Sequence, residues 1–137
     1  KILGKKEGET MKQMIVHTKL MPPQFGPIIF AVPIIRSGGE NVYPLEVEQC
    51  LLKHPSIMEA AVVGIPDMYW GEKVTAFLVT LDGNSIEDTE ITDFCSQYLG
   101  RYKIPKAFYF VNELPKTHVG KIDKKRLKEM GVQKVRE

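Results

Sequence analysis

Between Glu72 and Leu81 apolar and polar side chains alternate, with Val74, Ala76, Leu78 and Thr80 facing one way and Thr75, Phe77 and Val79 the other. A period of two belongs to an extended strand, and apolar residues on both sides predict a strand covered on both faces. Ile57 to Ile65, a mostly apolar run closed by Pro66-Asp67, predicts a second strand. Ala107 to Val111, dense in aromatic and β-branched residues, predicts a third. Elsewhere the spacing is helical. Pro44 suits a first helical turn, Val47, Cys50 and Leu51 follow on one face, and His54-Pro55 ends the helix. Ile91, Phe94, Cys95 and Tyr98 form the stripe of a second helix, capped by Asp88 or Thr89 and stopped by Gly100. Lys124 to Met130 predicts a short terminal helix stopped by Gly131. Arg36 to Asn41, with its paired glycines, reads as a loop leading to an extended Val42-Tyr43. The expected class is α+β: a small mixed or antiparallel sheet of about three main strands packed with about three helices.

The pattern is irregular near the start. Met21-Pro22-Pro23-Gln24-Phe25-Gly26-Pro27 can be neither a continuous helix nor a central strand. Residues 1–33 are therefore expected to be an appended or partly ordered segment, ahead of a domain spanning 34–137. A length of 137 residues allows one compact domain, and 43% hydrophobic with 26% charged residues excludes wholesale disorder. A net charge of +2 carries no nucleic-acid signature, and no stretch approaches the ~20 apolar residues of a membrane span. Neither nucleic acid nor a membrane is an expected partner. Cys50 and Cys95 lie in helical stretches without metal-ligand spacing and read as buried thiols of a reducing compartment; no metal set is expected. Lys1 to Thr10 lacks the regions of a secretory signal, so the expected location is the cytoplasm or an organelle interior.

Candidate chemistry concentrates after Leu114, in Pro115-Lys116-Thr117-His118-Val119-Gly120-Lys121-Ile122-Asp123. Pro115 fixes its own backbone angle and Gly120 permits a shape that other residues resist, so the segment reads as an exposed loop. A lysine ammonium there, Lys121, is a mobile point charge suited to phosphate or carboxylate oxygens. On spacing alone, a solvated basic face running from Lys116 to Arg136 explains it better. Lys116 and Lys124 are assigned to that solvated class, and Glu46 and Glu48 to surface charge. His54 and His118 read as surface or capping residues, and Tyr69 and Trp70 as core or edge packing. Arg101, Lys103 and Lys106 form a basic group that is either solvated or turned toward phosphate.

Three separated blocks carry a resemblance. They are Ser37-Gly38-Gly39-Glu40-Asn41-Val42-Tyr43-Pro44-Leu45-Glu46-Val47-Glu48, then Ala60-Ala61-Val62-Val63-Gly64-Ile65-Pro66-Asp67 with Gly71-Glu72, and Leu114 to Ile122. In this order and spacing they closely resemble the C-terminal domain of the adenylate-forming enzymes, above all fatty-acid and aryl acyl-CoA ligases, over about residues 34 to 130. The resemblance implies a lid that closes over a large N-terminal ATP-binding domain of the same enzyme. Together the two convert a small-molecule carboxylic acid, ATP and coenzyme A to acyl-CoA, AMP and pyrophosphate. It implies no cofactor for the isolated chain, and ATP, Mg and coenzyme A for the intact enzyme.

By the same resemblance, Lys121 matches the lysine inserted during adenylation, on a loop with Thr117 and Gly120. Gly38, Gly39 and Glu40 match the loop that faces the pantetheine path during thioester formation, where the missing Cβ of Gly39 leaves room. The chain also departs from the family. It contains neither the phosphate-binding Ser/Thr/Gly-rich loop nor the nucleotide-binding acidic motif of a complete enzyme, so the lid alone is expected to be inactive. Pro33 stands where a hinge Asp or Lys is common. Two other readings remain open: a lid from a luciferase-like or peptide-synthetase adenylation enzyme, and a non-catalytic module docking through its basic tail.

Overall fold

The computed structural model describes residues 33–136. The segment expected to be appended, residues 1–33, lies outside the described residues except for Pro33. Two short strands come first, β1 (Ile35–Ser37) and β2 (Glu40–Val42), paired antiparallel with Ser37 opposite Glu40. Gly38 and Gly39 turn between them with φ of 59° and 84°. Positive φ at both central positions is what a tight two-residue hairpin turn needs, and glycine adopts it without a Cβ clash. The segment Arg36 to Asn41, expected to be a loop, is thus a hairpin. Strands of three residues are too short to display an alternation.

Helix α1 (Pro44–Leu51) follows with proline in its first turn, as expected. Strands β3 (Ile57–Asp67) and β4 (Gly71–Thr80) then form a long antiparallel hairpin, with Val62 opposite Ala76 and Asp67 opposite Gly71. Helix α2 (Asp88–Cys95) and a single 3-10 turn (Arg101–Lys103) lead to β5 (Ala107–Phe110), and α3 (Lys124–Arg136) closes the described residues. The strand order is β2-β1-β4-β3, with β5 lying parallel to β4 from Thr75 opposite Ala107 to Leu78 opposite Phe110. One side of β4 therefore serves two strands, β1 at Gly71 and β5 further along. The class is α+β with a mixed sheet, as expected, and the β1–β2 hairpin raises the strand count to five.

The alternation read in the sequence divides the core. Ala60, Val62, Val74, Ala76 and Leu78 face α1 and α2 through Val47, Cys50, Leu51, Ile91 and Cys95. Ala61, Val63, Ile65, Phe77 and Val79 face the other way, against Leu114 and Leu127 with Met130 and Val132 around them. Both sides of the ribbon are sealed from water, which is why its strands need apolar residues at nearly every position. Cys50 and Cys95 meet in the first layer as buried thiols, not joined in a disulfide. A hydrogen bond with Cys50, together with burial, pushes the Cys95 thiol far above the usual value, so Cys95 is not a ready nucleophile.

Three expectations at the helix ends change. α2 ends at Cys95, with turns carrying the chain to Leu99, and its N-cap is Glu87 without a side-chain cap bond, in place of Asp88 or Thr89. His54 is buried; its Nδ1 accepts the Ser56 N–H at 3.1 Å and its Nε2 lies 3.1 Å from Glu90, so it braces the turn after α1 and is neither a surface nor a helix-capping residue. Gly131 does not stop α3. It is buried within the helix, and a Cβ there would fall 2.4 Å from Ile65 Cδ1 and 3.0 Å from its Cγ1. Glycine is present because helix backbone rests directly on the sheet.

That contact reverses the usual effect of a helical Gly→Ala change, which ordinarily gains about 1 kcal/mol. Gly131→Ala is expected to lower stability in urea unfolding by about 1–2 kcal/mol, as overpacking of a filled core does. Adding Ile65→Val removes the atom nearest the new methyl, so the double variant should be more stable than the sum of the two single changes predicts.

Candidate functional site

The segment Leu114 to Ile122 is a small hairpin of its own. Lys116 and Ile122 bridge antiparallel, the Thr117 N–H donates to Lys121 O at 2.7 Å, and the Gly120 N–H donates to Thr117 O at 2.9 Å. Gly120, at φ 91°, takes the left-handed position that ends a three-residue turn. Leu114 at one root is 1% exposed and Ile122 at the other packs on the same core layer, so an anchored base carries an exposed tip. Lys121 is the first residue past the glycine and is exposed. Among the described residues nothing pairs with its ammonium. Thr117 contributes backbone; its Oγ1 is buried without a hydrogen-bond partner among the described residues.

The other candidate loop is the Gly38-Gly39 turn. The Gly38 N–H donates to Trp70 O at 2.8 Å, and a Cβ on Gly38 would lie 3.0 Å from the Trp70 ring. Gly39 faces open space, with nothing within 4 Å of where its Cβ would be, and Glu40 is exposed beside it. Trp70 is held from below, where Asp67 Oδ2 accepts the N–H groups of Tyr69 at 2.9 Å and Trp70 at 2.8 Å. The Lys106 ammonium lies 4.5 Å from the Trp70 ring centre. Burial holds that amine below the usual lysine value, while the ring face favours its charged form. Trp70 and Lys106 were not linked by sequence reasoning. Their contact depends on β5 lying beside β4, which local spacing does not reveal.

Gly64 in the second block has a structural cause. A Cβ there would fall 2.9 Å from Ile35 Cγ2 and 3.1 Å from Glu72 Cδ, and Glu72 Oε1 accepts the Arg36 N–H at 2.8 Å. The block therefore seats β1, and with it the glycine turn, on the β3–β4 hairpin.

Four charge assignments made from sequence are overturned. Glu48 is not a free surface charge: its Oε2 accepts the Val62 N–H at 2.9 Å and takes a Lys124 Nζ donor at 2.6 Å. Lys124 likewise leaves the solvated class, since its Nζ also donates to Val62 O at 3.0 Å. Glu46, 9% exposed, pairs with Lys103 at 2.9 Å, which removes Lys103 from the solvated or phosphate-facing group. Lys116 stays near solvent, 3.8 Å from Glu59. Arg101 is exposed, as is His118.

The two loops do not converge. The lysine hairpin is tied to the Glu59–Val62 stretch of β3, through Lys116 and Lys124, whereas the glycine turn sits at Trp70 and Gly71, opposite Asp67. At the rise of an extended strand these anchor points are roughly 16–26 Å apart.

This is a small α+β domain that presents a cationic hairpin at one end of a ribbon and an open glycine turn at the other. Residues 46–121 match the AMP-binding enzyme C-terminal domain family, and the chain belongs to it. It is 49% identical over 96 residues to a long-chain-fatty-acid-CoA ligase of Bacillus subtilis, covering 70% of this chain and 17% of that protein. It is 44% identical over 97 residues to a mitochondrial malonate-CoA ligase of Homo sapiens, covering 71% and 17%. Among solved structures, a fatty acyl CoA synthetase of Mycobacterium tuberculosis superposes with a TM-score of 0.69 at 40% identity, covering 74% of this chain and 20% of that one. The chain thus spans a fifth or less of the length of these relatives.

The sole tryptophan makes the glycine turn readable in solution. Gly38→Ala and Gly39→Ala should each lower stability by about 1–2 kcal/mol, because alanine resists positive φ. Only Gly38→Ala should shift the Trp70 emission maximum, since only that methyl meets the ring.

Proposed function

We propose that residues 34–137 are the lid of an ATP-dependent acyl-CoA ligase, with residues 1–33 an appended segment, and that Lys121 serves adenylation while the Gly38-Gly39 turn serves thioester formation. The observation that carries this reading is the separation of the two loops on one rigid ribbon. Two half-reactions at one centre are then served by presenting opposite ends of the same domain in turn, with the rest of the enzyme as partner. In the first, a carboxylate oxygen attacks the α-phosphorus of ATP, pyrophosphate leaves and an acyl-adenylate forms. An exposed, unpaired ammonium at Lys121 can approach the carboxylate and phosphate oxygens as negative charge moves between them, and exclusion of water on closure strengthens that attraction. In the second, the thiol sulfur of coenzyme A attacks the acyl carbon, the thiol proton is lost and AMP leaves. The open space at Gly39, with Trp70 under the neighbouring Gly38, suits a narrow pantetheine arm passing along the lid.

Among the described residues no group of three or more His, Cys, Asp or Glu is placed to hold a metal ion. No helix among them is long and apolar enough to cross a membrane. The relatives named for malonate and for a long-chain fatty acid are similarly close to this chain, which supports selection of the acid outside the lid. Both names specify CoA, which favours coenzyme A over a carrier-protein thiol as the acceptor.

The test joins this chain to the ATP-binding domain of the Bacillus subtilis relative, in place of that enzyme's own C-terminal domain. Lys121→Ala should reduce acid-dependent pyrophosphate exchange by about 100-fold or more, the scale of losing one preorganised charge contact. Thioester formation from preformed acyl-adenylate should continue. Unchanged pyrophosphate exchange would refute the role given to Lys121. Gly39→Leu should give the converse result, with exchange retained and thioester formation lost.

A further inference from the structure

We propose that Glu48 and Lys124 form a clasp that positions Lys121, making Lys124 a positioning residue for adenylation and not a second phosphate ligand. The proposal rests on the adenylation role given to Lys121. Among the described residues β3 ends the strand order and pairs with β4 alone. The Val62 N–H and C=O therefore leave the free edge of the sheet, where a further strand would meet them. Glu48 Oε2 accepts the N–H at 2.9 Å and Lys124 Nζ donates to the C=O at 3.0 Å, so two side chains replace that strand. Their own contact at 2.6 Å closes the ring.

The clasp reaches the lysine hairpin by a short path. Lys124 is the first residue of α3, three positions after Lys121. The intervening residues are both fixed: Ile122 packs into the second core layer, and the Asp123 N–H donates to Pro115 O at 2.8 Å. Asp123 Oδ1 in turn accepts the Arg126 N–H at 3.0 Å, starting the helix. Lys121 thus projects from a backbone held by a bridge on one side and by the clasp on the other. Glu48 comes from α1 on one face of the sheet and Lys124 from α3 on the other, so the pair also sets how the hairpin sits against the ribbon. The Lys124 ammonium already serves two acceptors, whereas Lys121 has none among the described residues.

Lys124→Met keeps the side-chain stem and removes the charge, and Glu48→Gln keeps an acceptor for the Val62 N–H. In the joined protein, Lys124→Met should lower kcat for pyrophosphate exchange by about 10–100-fold, the effect of misplacing a catalytic group by an ångström. KM for ATP should hold, as should thioester formation from preformed acyl-adenylate. Lys121→Ala combined with Lys124→Met should be no slower than Lys121→Ala alone, because the second residue acts through the first. Glu48→Gln should reproduce a smaller part of the loss, and Lys124→Arg should restore some of it. Glu46→Gln, which removes the charge from the other partly buried pair, controls for lost stability and should leave exchange unchanged.

A double variant whose losses multiply, or a Lys124→Met variant equal to wild type while Lys121→Ala is impaired, overturns the clasp and leaves the adenylation reading standing. If Lys121→Ala itself is harmless, that reading falls. Amide exchange on this chain alone then still decides the clasp: Lys124→Met should speed exchange at Gly120 and Thr117 at least tenfold, and unchanged rates there overturn it.

Discussion

Everything described depends on the pairing of β3 with β4, two long strands whose faces are both buried. Because alternate residues point to opposite layers, one ribbon organises two small cores, and the Glu48–Lys124 contact joins their helices around its edge. A slip of one residue would exchange the two sets of side chains and expose both, so the register is fixed by the pattern itself. The functional loops take their positions from this constraint. One is fastened near Asp67 and the other near Glu59 and Val62, and the stiffness of the ribbon sets the distance between them.

The proposed roles ask little chemistry of this domain. They need one ammonium on one turn and the absence of a Cβ on another, and glycine makes both turns possible. The rest of the sequence keeps these features at fixed places. Gly64 lets β1 approach β4, Gly131 lets α3 approach β3, and Trp70 supports the turn that leads to Gly39. Glycine therefore has two uses here, conformational in the turns and steric in the core.

Legibility followed the range of the interactions. The alternation in β4, the proline at the start of α1 and the apolar run of β3 were readable because each is written in adjacent residues. The β1–β2 hairpin was missed because its strands are three residues long, although its paired glycines were visible. Gly131 was taken for a helix stop because a glycine that ends a helix and one that admits a neighbour look the same in one dimension. The Lys121 hairpin was readable as a loop, and the three-block resemblance singled out its lysine as a candidate. Glu48 and Lys124 were misread as solvent-facing because they meet across 76 positions, on a strand edge that exists only once the sheet is built. Trp70 and Lys106 were hidden for the same reason.

The covering of Val62 has a consequence beyond catalysis. An open strand edge recruits strands from other molecules, and the longest strand of this domain ends the sheet with that edge outward. Placing a carboxylate and an ammonium over its middle leaves an incoming chain no amide or carbonyl to pair with there, and makes it displace two charges. The domain is thereby guarded at that point against self-association through its own sheet.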